Sequence, residues 1–212
     1  MNGIMTFLRS YRKGFFPFPY RKYMHKNKLI FIHIPRTGGT SILKLMAGEK
    51  RGRDHSPWFQ YKNSCPWAFN HYFKFAIVRN PWDRFVSVYK YFKNGGNGDE
   101  YDLFIKDYLE KFEDFTDFVI NGLPDLYCRN ILLFMPQTYY ICDLKKQIMV
   151  DEIIRFENLN EEIKRIQVFK NQKLQKINKS DDKNYKEFYN DETIEMIRKW
   201  YSNDIDILGY TF

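Results

Sequence analysis

Leu29-Ile30-Phe31-Ile32-His33-Ile34-Pro35-Arg36-Thr37-Gly38-Gly39-Thr40-Ser41 joins an apolar run to a loop made of a cation, two glycines and hydroxyls. The run has the length and composition of a buried strand. Adjacent glycines let the backbone turn through conformations closed to other residues and let N–H groups approach a ligand closely. Ile42, Leu43, Leu45 and Met46 then open a helix. The loop amides and the positive helix end point at one spot, where a phosphate or sulfate would sit. The competing reading is a strand-to-helix turn with no ligand.

A second junction of the same kind runs from residue 73 to 89: Phe-Lys-Phe-Ala-Ile-Val-Arg-Asn-Pro-Trp-Asp-Arg-Phe-Val-Ser-Val-Tyr. An apolar strand ends at Val78, and Pro81 occupies the favoured first helical position. Asn80 is the expected N-cap, with Asp83 three residues on as a weak capping box. Phe85, Val88, Tyr89 and Phe92 repeat at helical spacing and face the core. Arg79 stands at the strand's carboxyl end with Ser87 nearby on the helix. Arg79 is a fork of donors suited to a second phosphate. A structural salt bridge is the alternative account of Arg79, and a plain surface hydroxyl that of Ser87.

The two segments, about forty residues apart and in this order, resemble the two nucleotide loops of sulfotransferases that use 3′-phosphoadenosine-5′-phosphosulfate (PAPS), especially the carbohydrate sulfotransferase branch of heparan and chondroitin type. Pro136 to Tyr140, Arg155 to Leu159, Asn178-Lys179-Ser180 and Tyr201 to Phe212 are similar to later blocks of that family. The resemblance thus runs from about residue 28 to the end. It implies that Arg36, Thr37, Gly38, Gly39, Thr40 and Ser41 hold the 5′-phosphosulfate. It implies Arg79 and Ser87 for the 3′-phosphate, with Lys179 and Ser180 on a loop that closes over it. Carbohydrate or glycan is the acceptor it implies, with no metal. The family usually has Lys where this chain has Arg36. Arginine keeps the charge and grips oxygens in bidentate fashion, but holds its proton too firmly to act as an acid.

Transfer of a sulfuryl group asks the protein to align donor and acceptor and to neutralise charge growing on the leaving and equatorial oxygens, as phosphoryl transfer does. Arg36 and the loop amides suit that task. A base for the acceptor hydroxyl is also needed, and histidine titrates in the useful range. His55, about twenty residues before the second strand, stands where the family's catalytic histidine does. It is the first choice, against the reading of an ordinary loop histidine. His33 is read as a structural histidine at a strand end, His71 as a weaker alternative base, and His25 as solvated. Asp54 or Glu49 would serve if no histidine did. Trp58, Phe59, Tyr61 and Trp67 offer either a stacking face for a sugar or core packing.

A nucleotide kinase is the second reading, because the loops would also suit ATP. Against it, the Gly-x-x-x-x-Gly-Lys-Ser/Thr spacing is absent and no apolar strand ends in an evident magnesium-holding Asp. A non-catalytic module binding glycan or nucleic acid through its basic leader is the third. At 212 residues and 44% hydrophobic, the chain suits one α/β domain. Residues 1–27 read as a basic aromatic leader and 28–212 as a single sulfotransferase-like domain. Nine basic residues and no acid precede Glu49, enough to account for the net charge of +8. Such a leader suits an anionic membrane surface or remains a solvated arm; no nucleic-acid partner is expected. Its short apolar runs give neither a spanning helix nor the core of a secretory signal. Cys65, Cys128 and Cys142 lack metal-ligand spacing and read as reduced thiols, which favours a cytoplasmic setting.

The expected layout is strand 28–34, helix 41–47, strand 73–78, helix 81–93, a lid-like loop at Gly95 to Gly98, a helix ending at Asn121-Gly122, strand 148–156 and helix 161–169. A last helix is capped by Asn190 or Asp191. Strands separated by helices predict an α/β fold with a central, mostly parallel sheet and ligand at the strands' carboxyl ends. The resemblance makes it a P-loop-like three-layer fold.

Overall fold

The computed structural model describes residues 16–47, 54–128, 131–170 and 184–212. In chain order its first elements are α1 (Lys22–Asn27), β1 (Leu29–Ile32), α2 (Gly39–Ala47), α3 (Trp58–Ser64), α4 (Pro66–His71) and β2 (Phe73–Val78). There follow α5 (Pro81–Lys93), α6 (Glu100–Leu109), α7 (Leu123–Cys128), α8 (Gln137–Ile141), β3 (Glu152–Arg155), α9 (Leu159–Glu162), α10 (Asp191–Trp200) and α11 (Ser202–Leu208). The chain divides into two compact units, Met1–Val78 with Gln137–Ile177, and Arg79–Pro136 with Asn178–Phe212.

In the first unit β1, β2 and β3 form a parallel three-stranded sheet in that order among the described residues, with Phe31 opposite Phe75 and Val78 opposite Arg155. All four residues of β1 are buried. That is what a parallel strand covered on both faces requires, and it explains an unbroken apolar run in place of alternation. Phe31, Phe75, Ile77 and Ile154 pack with Ile42 of α2, Leu159 of α9 and the following Ile163, Ile166 and Phe169. The fold is therefore α/β, a parallel sheet flanked by helices.

The strand around 148–156 is shorter than expected. Only Glu152–Arg155 pairs in the sheet, while Ile148 makes an isolated antiparallel bridge to Cys142. Asp143 accepts from the amides of Lys145 and Gln147 and so turns the chain before the strand begins. The helix expected at 161–169 is α9 followed by 3₁₀ turns. Glu162 accepts from the Arg155 amide at 2.8 Å and pairs with Arg165, which ties this segment back to the end of β3.

The second unit is built on α5, whose Trp82, Phe85 and Phe92 share a core with Phe118, Phe134 and Tyr201. The polar ends of buried side chains find backbone partners. Tyr201 donates to the Phe134 carbonyl at 2.7 Å and Arg84, 1% exposed, to Leu133 at 2.9 Å. The helix expected to stop at Gly122 instead passes through a π-helical stretch, Phe118–Gly122, into α7. Gly122 serves close approach and not termination, because a Cβ there would lie 2.6 Å from the Phe112 ring. Of the two capping candidates, Asn190 and not Asp191 caps α10, in a reciprocal pair with Thr193. The loop at Gly95 to Gly98 is pinned: buried Asp102 accepts from the Asn97 amide at 2.7 Å and from the Tyr91 hydroxyl.

Residues 20–27 are packed into the first unit and are not a solvated arm. Tyr20 and Met24 are buried, and Tyr20 donates to the carbonyls of Tyr61 and Cys65. His25, read as solvated, is 5% exposed. Its Nδ1 lies 2.8 Å from the Tyr72 hydroxyl and its ring stacks on Phe16 and Tyr20. The apolar faces of an aromatic-rich leader outweigh its charge here. Among the described residues no helix is long and apolar enough to cross a membrane.

Burial lowers the His25 imidazole from its usual 6.5 to about 4. Between those values the unfolded chain binds the proton and the folded chain does not. The contribution of His25 to stability is therefore fully present above about pH 6.5 and is lost as pH falls towards 4. Urea midpoints across that window should show the slope in the native chain and a flatter one in His25→Gln; equal slopes would remove His25 as the cause. Phe75→Ala, at the centre of the sheet, should lower unfolding free energy by about 3–5 kcal/mol in the same assay, and a loss under about 1 kcal/mol would contradict the packing described.

Candidate functional site

β1 stops at Ile32, and the chain reverses within seven residues to begin α2 at Gly39. Arg36 adopts φ +65° and Gly38 φ +81°, both left-handed. For a non-glycine residue that conformation costs about 1–3 kcal/mol and is characteristic of ligand-gripping segments. Thr37 is wholly buried, and its hydroxyl donates to the Ile34 carbonyl at 2.9 Å. Its side chain thus braces the turn. Arg36 and Ser41 are half-buried and Thr40 is exposed, at the end of a helix whose first amides have no intrahelical acceptor. The loop presents a guanidinium, two hydroxyls and backbone N–H groups, a donor set for an anion.

Rings hold this loop from two sides. A Cβ on Gly38 would come within 2.8 Å of the Phe156 ring, and one on Gly39 within 2.2 Å of the His33 ring. Both glycines are required by close approach, the first also by its positive φ. His33 is buried, stacks on Phe31 with centroids 5.3 Å apart, and lies 4.3 Å from the ring of His55. The His55 Nδ1 is 3.0 Å from the His33 carbonyl oxygen. A carbonyl only accepts, so Nδ1 carries the proton and Nε2 keeps its lone pair in the neutral ring. His55, half-buried, is therefore set in the tautomer of a proton acceptor and sits one ring away from the loop.

Two further candidate bases have partners of their own. His71 is exposed, stacked on Trp67, with Nδ1 2.7 Å from the Trp67 carbonyl. Asp54 is in an ion pair with Arg21. Glu49, like Lys179 and Ser180, lies outside the described residues. Of the aromatic candidates, Tyr61 is a core residue, 1% exposed. Trp58 and Phe59 are half-buried, with the Trp58 indole donating to the Cys142 carbonyl at 2.8 Å.

At the second junction Asn80 caps α5, accepting from the amides of Trp82 and Asp83. The Asp83 carboxylate does not complete a capping box: it takes Arg79 Nε and Nη2, each at 2.7 Å. The salt bridge weighed as an alternative for Arg79 is thus present, and it fixes the plane of a guanidinium that is almost wholly buried. A bidentate pair of this kind orients the fork. Asp83 precedes Ser87 by one helical turn, so Arg79, Asp83 and Ser87 share one ridge of the second unit. Ser87 is 4% exposed, hence not a plain surface hydroxyl.

One contact is missed by sequence reasoning: Asp83 reads as part of the helix cap, although its i+4 spacing from Arg79 is the signal for the pair. His33 is the structural histidine that its place at the strand end predicts, buried and stacked on Phe31.

Among the described residues no group of three or more His, Cys, Asp or Glu side chains is arranged to hold a metal ion. Residues 22–211 match the Sulfotransferase family. No curated protein and no solved structure matches the chain. The family match takes in both strand-to-helix junctions, His55 and the parallel sheet, which is consistent with a P-loop-like architecture. The chain belongs to the sulfotransferase family, enzymes of sulfuryl transfer.

Proposed function

We propose that the protein transfers a sulfuryl group from PAPS to a hydroxyl of a carbohydrate or glycan. The observation that carries the reading is His55, fixed with Nε2 as acceptor, one ring away from an anion-binding loop that opens a helix. The donor set fits the nucleotide's chemistry: Arg36, the amides from Gly38 to Ser41 and the hydroxyls of Thr40 and Ser41 suit the 5′-phosphosulfate, while Arg79 and Ser87 suit the 3′-phosphate. Lys179 and Ser180 are assigned to the 3′ end from the family resemblance alone, as is the carbohydrate acceptor. The one family match running through both units supports treating residues 28–212 as a single catalytic domain.

His55 Nε2 takes the proton of the acceptor hydroxyl while its oxygen forms the new bond to sulfur. The bond from sulfur to the 5′-phosphate oxygen breaks, and adenosine 3′,5′-bisphosphate leaves with that electron pair. Arg36 and the loop amides stabilise the charge that collects on the leaving oxygen, the largest single contribution such sites make. The hydrogen bond to His33 keeps the imidazole in place while it becomes positively charged.

Calorimetric titration should give saturable binding of adenosine 3′,5′-bisphosphate without magnesium, lowered about 10–100-fold in Arg79→Ala, the range for losing a charged hydrogen-bonding partner. Tighter binding of ATP with magnesium would turn the reading to a kinase. In a saccharide screen with labelled donor, His55→Ala should retain nucleotide affinity and lose about 10²–10⁴-fold in kcat. Unchanged turnover in that variant would remove His55 as the base.

A further inference from the structure

We infer that His33 is a positioning residue for His55, a role that rests on the reading of His55 as base. Three contacts converge on it. Its carbonyl accepts the His55 Nδ1 proton at 3.0 Å, its ring meets the His55 ring at 4.3 Å, and its edge fills the space that a side chain at position 39 would take. It also stacks on Phe31, which stacks in turn on Phe75 at 4.8 Å in the sheet. His33 is 3% exposed and cannot swing away without vacating that stack. His55 itself lies outside regular structure, three residues before the start of α3. The ring of His33 is the spacer that links the base on one side to the loop glycine on the other.

This arrangement does two things at once. The carbonyl sets the tautomer, which ring orientation alone would leave open. The ring sets the separation between the lone pair of His55 and the amide-lined turn, and misplacement of a reacting group by an ångström is enough to cost orders of magnitude in rate. His33 needs no contact with donor or acceptor for either effect.

Imidazole ¹⁵N spectroscopy on the native protein tests the first effect without any variant. His55 should show a protonated Nδ1 and an unprotonated Nε2 above its titration; a dominant Nε2–H form would overturn the inference. Steady-state kinetics test the second. His33→Ala should lower kcat about 10–100-fold, the scale of loss when a reacting group is misplaced by about an ångström, and that loss should exceed any accompanying loss of affinity for adenosine 3′,5′-bisphosphate by about tenfold or more. His33→Phe keeps a flat ring against Phe31 and should recover part of kcat. A folded His33→Ala with kcat within twofold of native, or one that loses nucleotide affinity in step with kcat, contradicts the role. If His33→Ala is silent while His55→Ala is inactive, this inference alone fails; if His55→Ala is also silent, the base assignment fails with it.

Discussion

The reversal between Ile34 and Gly39 is the constraint from which the rest follows. It places a non-glycine residue, Arg36, in a left-handed conformation and presses two glycines against aromatic rings. Such a turn persists only when its surroundings over-determine it. The surroundings are supplied by the sheet: Phe31 and His33 come from β1 and the residue after it, Phe156 from the residue after β3, and the Thr37 hydroxyl closes the turn on Ile34. The buried residues of β1 and β2 therefore bear on the geometry of the loop. They fix the angle at which loop amides leave the sheet, and a preorganised set of donors is worth more than the same donors held loosely.

Charge is handled differently at the two junctions. Arg36 is held by backbone conformation at a half-buried position, where a guanidinium can meet an anion as the turn presents it. Arg79 is buried and oriented by Asp83, at the cost of offsetting part of its charge. Orientation is gained where electrostatic strength is given up. The helix dipole of α5 adds to the same end of the ridge, since Asn80 and Pro81 fix its N-terminus there.

Elements whose signals are local were legible in the chain. β2 and α5 occur at the residues that the apolar run, Asn80 and Pro81 define, and Asn190 caps α10. Where side chains far apart in sequence decide the outcome, the pattern misleads. Gly122 reads as a helix end but accommodates Phe112, and His25 reads as solvated because the surrounding lysines hide an aromatic cage formed with Phe16, Tyr20 and Tyr72. At the site, the loop residues announce an anion by type and order alone. The contacts that give them geometry, His55 on His33 and Phe156 on Gly38, join positions more than twenty residues apart and leave no periodic trace.

We propose that the two junctions serve the two ends of one nucleotide, Arg36 the 5′ end and Arg79 the 3′ end. Affinities of adenosine 5′-monophosphate and adenosine 3′-monophosphate, measured by calorimetry on the native chain, Arg36→Ala and Arg79→Ala, address it most directly. Arg36→Ala should weaken the 5′-monophosphate selectively and Arg79→Ala the 3′-monophosphate. Equal losses for both ligands in each variant, or a reversed pattern, would contradict the claim.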